Sequence, residues 1–390
     1  MSIKRGYEDG SANRRLKEIR SDSFLKMAGF RVGDKRSFDK EFPHFREPVE
    51  IGHFSLDISR TFHCDKSQLK YFIKPKDFKN VRFDLTKGYS EMIKKDETKT
   101  ERINDILRWI LRNKETFNLA AEGKSADSET IRNLNTDFIC WRGLLTKLLC
   151  TPYENRDDWK IAVTLHNGTY YLCEFDTEAK KKEKAERTER QEEMCCWGWK
   201  FEQYLTADSP EGKPSPEAVF NNCEAFGTVV RSRLASHSLV FSGEVDAIDV
   251  DPRTGKSHYV EFKTSREFSH PGQHVSFKRY KLIKMWAQSF LVGIPEIVCG
   301  FRDDEGTVHR LETFQTNKIP YVAKDIRYPW KANVCFNFLD QFLLYIKATV
   351  KEDNHRLVHL FEWNPGMDVQ CTKLALDSDY TFLPDWYINS

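Results

Sequence analysis

Two acidic clusters separated by a turn constrain this chain more than any other stretch of it. Gly243-Glu244-Val245-Asp246 closes one run, Val260-Glu261-Phe262-Lys263-Thr264 forms the next, and Asp251-Pro252-Arg253-Thr254-Gly255 lies between. Pro fixes φ and Gly relieves strain at a turn, so residues 240–250 and 258–264 are expected to form a β-hairpin. Side chains alternate along a strand. Glu244 and Asp246 would then share one face, Glu261 and Lys263 one face of the second strand, and Val260 and Phe262 would point into a core. Three carboxylates and an ammonium in so small a patch suit a divalent cation bound to a phosphate. The hairpin alone leaves a blander alternative open, a solvated sheet face with a cross-strand Glu–Lys pair worth about 0.2–1 kcal/mol.

With 390 residues, 39% hydrophobic and 13% aromatic, the chain can bury a large core in one big domain or two ordinary ones. Such a composition belongs to a folded chain. Its 61 Lys/Arg and 59 Asp/Glu give a formal net charge of +2, so any grip on nucleic acid has to be a local basic groove. The ten cysteines include no Cys-x-x-Cys pair. That speaks against a zinc ribbon or a disulfide framework and for a reducing compartment. The eleven histidines show no His-Glu-x-x-His spacing. No apolar run approaches the ~18 residues of a membrane helix, and the N-terminus lacks a signal-peptide core. A soluble intracellular protein is expected.

Residues 1–45 carry 11 Lys/Arg against 7 Asp/Glu and read as a basic, flexible tail, with Lys4-Arg5 and Arg14-Arg15 as a weak nuclear-import signal. Residues 46–390 read as a single domain whose regular structure starts near Glu50. Ile103, Ile106, Leu107, Ile110 and Leu111 predict an amphipathic helix over 101–113. The charged run 179–193 reads as an exposed helix or loop, and 198–204 opens or sits in a helix. A strand is expected at 169–175, a long helix at 276–291 stopped by Gly293-Ile294-Pro295, and strands at 297–302 and 309–314. A helix at 336–350 and a strand at 356–363 complete the reading. No internal repeat is present.

An acid upstream, an acid pair, and Glu-x-Lys on a neighbouring strand is the layout of the PD-(D/E)XK nuclease superfold. More specific strings surround it: Trp141-Arg142-Gly143, Thr151-Pro152-Tyr153-Glu154, Gly198-Trp199-Lys200-Phe201-Glu202, Arg231-Ser232-Arg233-Leu234, and Trp286-Ala287-Gln288-Ser289-Phe290. In this order they resemble the eukaryotic decapping exoribonuclease family (DXO-like) from about Phe54 to Trp386. The resemblance implies an α+β fold, one large domain with mixed central sheets flanked by helices around a PD-(D/E)XK core.

It further implies a metal-dependent hydrolase of RNA 5′ ends working in RNA quality control. Unmethylated caps, NAD caps and 5′ pyrophosphate would be removed, and the RNA then digested 5′→3′. Magnesium or manganese, two ions, would be held by Glu202, Asp246, Glu261 and the Phe262 carbonyl, with Glu244 completing the cluster. All-oxygen ligation matches hard cations. Lys263 would stabilise phosphoryl charge and Gln288 would orient water, one helical turn past Lys284. Glu202, Glu244, Lys263 and Gln288 would also touch substrate, together with Arg60, Glu101, Trp141, Arg142 and Gly143. Some relatives contact nucleotide through a cysteine where this chain has Gly227. RNA 5′ ends are the expected partners, whether capped, NAD-capped, triphosphate or monophosphate. A 5′→3′ exoribonuclease is a further expected partner, and the nucleus the expected location. Rival readings are a non-catalytic RNA-binding partner of such an exoribonuclease, and a DNA endonuclease on the same superfold.

Overall fold

The computed structural model describes residues 25–26, 29–117 and 133–390. Two mixed sheets organise them. The larger has ten strands in the spatial order Leu25–Lys26, Gln370–Lys373, His359–Trp363, Trp159–His166, Thr169–Phe175, Phe138–Trp141, His237–Glu244, Ala225–Leu234, Phe45–Leu56 and Phe62–His63. The smaller has seven: Phe83–Asp84, Thr307–Gln315, Glu296–Arg302, Ser257–Arg266, Ala247–Val250, Tyr71–Phe72 and Thr206–Ala207.

Both sheets are buried on two faces, and strand alternation sorts their side chains between layers. Phe138 and Cys140 join a core shared with helices Arg142–Cys150, Leu282–Leu291 and Ala332–Thr349, and Ile297, Cys299 and Phe301 of the small sheet enter the same core. These three helices therefore form a middle layer between the sheets. Ile139 faces the opposite way, onto Ile106, Leu107 and Ile110 of helix Asn104–Arg112. Val298, Val260 and Phe262 face outward from the small sheet onto Trp197, Phe201 and Leu205 of helix Glu189–Leu205. Burying each aromatic on such a stripe is worth about 1.5–3 kcal/mol.

Helix Glu189–Leu205 starts at a capping box, in which the Thr188 side chain and Gln191 satisfy each other's backbone N–H groups. Gly300 lets it lie close: a Cβ there would sit 2.5 Å from the Phe201 ring. The charged run 179–193 is thus divided between helices Glu178–Ala185 and Glu189–Leu205. The expected 276–291 helix forms as Pro271–Ser276, a π-helical turn at Phe277–Lys281, and Leu282–Leu291.

Two expectations need correction. The hairpin is not one continuous pair. His237–Glu244 belongs to the large sheet, where Gly243 and Glu244 pair with Thr228 and Gly227, and only Ala247–Val250 pairs with Ser257–Val260. The chain changes sheets at Val245-Asp246, and Val245 N–H donates to the Phe226 carbonyl at 2.9 Å as it crosses. Ordered packing also begins well before Glu50. Phe30 bridges Val369, Val32 and Phe38 are buried in the central core, and Phe45 opens a strand. Lys4-Arg5 and Arg14-Arg15 lie outside the described residues.

Candidate active site

The sheet change positions the acids. Glu244 ends a strand of the large sheet, Asp246 stands in the crossing, and Glu261 and Lys263 project from the small sheet into the middle layer, opposite to Val260 and Phe262. Glu202 follows Phe201 on its helix, one step off the buried stripe. Glu202, Glu244 and Asp246 line one cavity of about 310 Å³, with Glu261 behind them and 1% exposed. Side chains far apart in sequence therefore converge as expected, although by two sheets meeting and not by a single hairpin.

Glu261 is the best-held of the four. Its Oε1 accepts from the Lys263 ammonium and from Gln288 Nε2 at 2.5 Å. Its Oε2 is buried with no hydrogen-bond partner, 3.5 Å from an Arg142 guanidinium nitrogen. Burial works to raise its pKa, but the charges of Lys263 and Arg142 outweigh it and hold the carboxyl below the usual range. The other three go up. Burial, then the Glu261 charge, pushes Asp246 up to about 8, despite the 2.6 Å hydrogen bond it accepts from Phe262 N–H. Burial and the charges of Asp246 and Glu244 drive Glu202 well above the carboxylate range. Glu244 is open to the cavity, yet protein packed around it raises its pKa too. For Lys263, burial disfavours the charge, but Glu261 and Asp246 more than offset it and its pKa rises.

This is a cluster short of positive charge, since two carboxylates ~5 Å apart repel by about 3 kcal/mol at an effective dielectric near 20. Four carboxylates with one buried oxygen left unpartnered form a donor set suited to a hard divalent cation. Among the described residues, no three Asp, Glu, His or Cys side chains are drawn to metal-holding distance; Glu261 is engaged by Lys263 and Gln288, and Asp246 by a backbone N–H.

The substrate candidates divide into groups. Arg60, whose φ of 62° is left-handed, makes a two-pronged pair with Glu101 at 2.8 and 2.6 Å and donates to the Cys223 carbonyl at 2.7 Å. Lys95 joins Glu101 at 2.6 Å, a residue that sequence reasoning missed because it arrives from a loop with no motif. Trp141 donates to the Arg102 carbonyl at 2.7 Å and lines, with Gly143, a cavity of about 680 Å³. A Cβ at Gly143 would meet nothing within 4 Å, so the backbone there is open to approach.

Arg142 differs from the expected substrate contact. It is 7% exposed, and its guanidinium reaches Glu261 and the main-chain carbonyls of Gln288 and Glu244 at 3.3 and 3.4 Å. It ties strand, helix and sheet together. Gly227 sits opposite Phe54 and Glu244 in register, and a Cβ there would lie 2.7 Å from the Phe54 ring. A side chain at 227 requires that ring to move.

Residues 46–388 match the model of the RAI1-like PD-(D/E)XK nuclease family. The chain belongs to that family. Among RAI1-like relatives, the decapping and exoribonuclease protein of Xenopus laevis is 44% identical over 361 residues, covering 90% of this chain and 88% of the relative. The crystal structure of Scheffersomyces stipitis Rai1 in complex with (3′-NADP)+ and calcium ion shares the fold at a TM-score of 0.75 and 24% identity, covering 90% of this chain and 94% of that one. S. pombe Rai1 in complex with 3′-FADP gives a TM-score of 0.67 at 25% identity, covering 90% of this RAI1-like chain and 100% of that one.

Proposed function

We propose that this chain is a divalent-cation-dependent hydrolase of RNA 5′ ends, removing incomplete (unmethylated) caps, NAD caps and 5′ pyrophosphate before degrading the RNA 5′→3′. The observation that carries the reading is the meeting of Glu202, Glu244, Asp246 and Glu261 beside Lys263 and Gln288. Relatives named as decapping and exoribonuclease proteins, and one solved with a dinucleotide-type ligand, support it.

Glu202, Asp246, Glu261 and the Phe262 carbonyl would hold two Mg or Mn ions, with Glu244 in reach through water. Such ions, when bound, polarise phosphoryl oxygens and acidify a coordinated water. Lys263 places a fixed ammonium where charge builds on the transferred phosphoryl group. Glu261 holds the Gln288 amide N–H, which fixes the direction of its amide oxygen for orienting the water. Arg142 keeps Glu261 and the Gln288 backbone in register. Arg60, Glu101, Trp141 and Gly143 would receive the terminal nucleotide: an Arg fork matches phosphate geometry and Gly admits close backbone approach.

The test is product analysis by mass spectrometry, with purified protein, Mg or Mn, and RNAs bearing each 5′ end alongside matched DNA. Caps, NAD, pyrophosphate and mononucleotides are expected from RNA. Release of none of them sinks the reading, and equal cleavage of DNA replaces it. Nuclear residence and an exoribonuclease partner belong to the same proposal. Substituting Lys4-Arg5 and Arg14-Arg15 in a fluorescent fusion, and affinity capture of the intact protein, test each.

A further inference from the structure

Gln288 lies at the inner end of a helical face that also carries Lys284 and Lys281, four and seven residues earlier. Cavities open along this face in series. One of about 220 Å³ touches Gln288, Lys284, Glu154 and Asp157. The next, about 620 Å³, shares the last three and continues to Lys281 and Tyr280. A third, about 670 Å³, shares Glu154, Asn155 and Tyr280 and ends against Arg279, Tyr328, Lys35 and Arg36. Because neighbours share lining residues, the three form one series of adjoining cavities that starts at Gln288, whose amide reaches Glu261.

Its charge is one-sided. Eight lysines and arginines against four acids line the two outer cavities, in a chain whose net charge is +2. Every one of those acids already holds a cation: Glu154 and Asp157 take Lys284, Glu267 takes Arg310, and Asp39 takes Lys331. Five cations, Lys35, Arg36, Arg156, Arg279 and Lys281, form no ion pair among the described residues. Lys281 donates to the Ser265 hydroxyl at 3.3 Å and Arg279 to the Arg327 carbonyl at 2.5 Å. Tyrosines interleave with them. The Lys35 ammonium stands 4.9 Å from the Tyr153 ring centre, Tyr280 is half-buried, and Tyr328 is 74% exposed. The cavity holding Glu202, Glu244 and Asp246 is walled by two further acids, Asp208 and Glu224, against two lysines, Lys70 and Lys213, so its excess charge is negative where that of the outer cavities is positive.

We propose that this groove is the track for the single-stranded RNA body that follows the 5′ end. Its phosphates run past the five unpaired cations and its bases stack on Tyr280 and Tyr328, the pairing of cationic path and aromatic platform that sequence-tolerant single-strand binding uses. The inference rests on the RNA 5′-end reading above and extends it to the nucleotides beyond the reacting one.

The test compares the full-length chain with an Arg279→Ala/Lys281→Ala double variant and, separately, a Tyr328→Ala variant. Substrates are a 5′-monophosphate dinucleotide and a 5′-monophosphate single strand of about 20 nucleotides, longer than a typical single-strand site. With Mn, the double variant should turn over the dinucleotide as the parent does, and lose about tenfold in kcat/KM on the long strand through KM. The salt slope of long-strand binding should fall by about 1.4, roughly 0.7 per cation removed. Tyr328→Ala should weaken long-strand binding about fivefold with the slope unchanged. Equal losses on both substrates overturn the track, since they report damage to the site. Undiminished long-strand binding with an unchanged slope also overturns it, and is what a protein-docking surface would give. If the parent turns over neither substrate, the 5′-end reading fails, while fluorescence anisotropy of the long strand still decides the track.

Discussion

Two charged clusters meet at the cleft, and they differ in balance. Arg60 and Lys95 close on Glu101 within 2.6–2.8 Å. Burial works to raise Glu101, but the two cations outweigh it and hold the carboxyl below its usual range. On the other side, Glu202, Glu244, Asp246 and Glu261 face Lys263 and Arg142, and three of the four carboxyls are raised. The first cluster is complete as folded. The second reaches neutrality only by taking up protons or a cation, so function and stability should respond to metal and to rising pH there, whereas the Arg60 cluster should lose stability only as pH falls through the carboxylate range.

The largest effect should come from Glu261→Ala, which removes the anchor of the unbalanced cluster. Nucleotide release should fall about a thousandfold or more in kcat, with the far-UV spectrum unchanged. Activity within tenfold of the parent would assign the chemistry elsewhere.

Next is pH. Asp246 titrates near 8 in the folded chain against 3.8 unfolded, and Glu202 is raised as well, so between those values the folded state binds more protons than the unfolded one. The contribution is full below about pH 4 and is lost as pH rises toward 8. Thermal melts in chelator should show the midpoint falling across this window. Manganese should restore it, more at pH 8 than at pH 6, and Asp246→Asn should flatten the chelator profile. A manganese shift that is the same at both pH values would contradict the charge argument.

Breaking the balanced cluster should do less. Glu101→Gln leaves Arg60 and Lys95 facing each other in a half-buried site and should cost about 1–2 kcal/mol in urea melts, raising KM for RNA with kcat within about threefold. Lys95→Met should be smallest, about 0.5 kcal/mol, because its side chain is 29% exposed and one Arg60 pair remains. If Lys95→Met exceeded Glu101→Gln, the cluster would not be the balanced unit described.

Much of this was legible in the sequence. Helix Asn104–Arg112 follows from three- and four-residue apolar spacing, and the placing of Val260 and Phe262 on the face opposite Glu261 and Lys263 follows from strand alternation. The chemistry followed from acid–Lys pairing and from motifs that resemble one family. What periodicity could not report is partnership. It says which face of a strand is buried, but not which sheet the strand joins, so the sheet change between Glu244 and Asp246 read as one hairpin. The apolar residues Phe30, Val32 and Phe38 sit among charges too dense for a periodic signal, and their partners Val369 and Phe338 lie some three hundred residues away. For Arg142 the motif gave the position, while only the fold shows its guanidinium turned inward onto two carbonyls. The outer groove had no signal, because its eight cations come from five separate segments.

The crossing at Val245-Asp246 has a mechanical consequence. Two layers share one covalent thread there, so the gap between acidic groups is set by how the layers are stacked. Any slip of one against the other changes that gap directly. Distant packing of the intervening helices therefore acts as a spacer gauge for the reaction, and a cavity cut far from the cleft should register in turnover before it registers in unfolding.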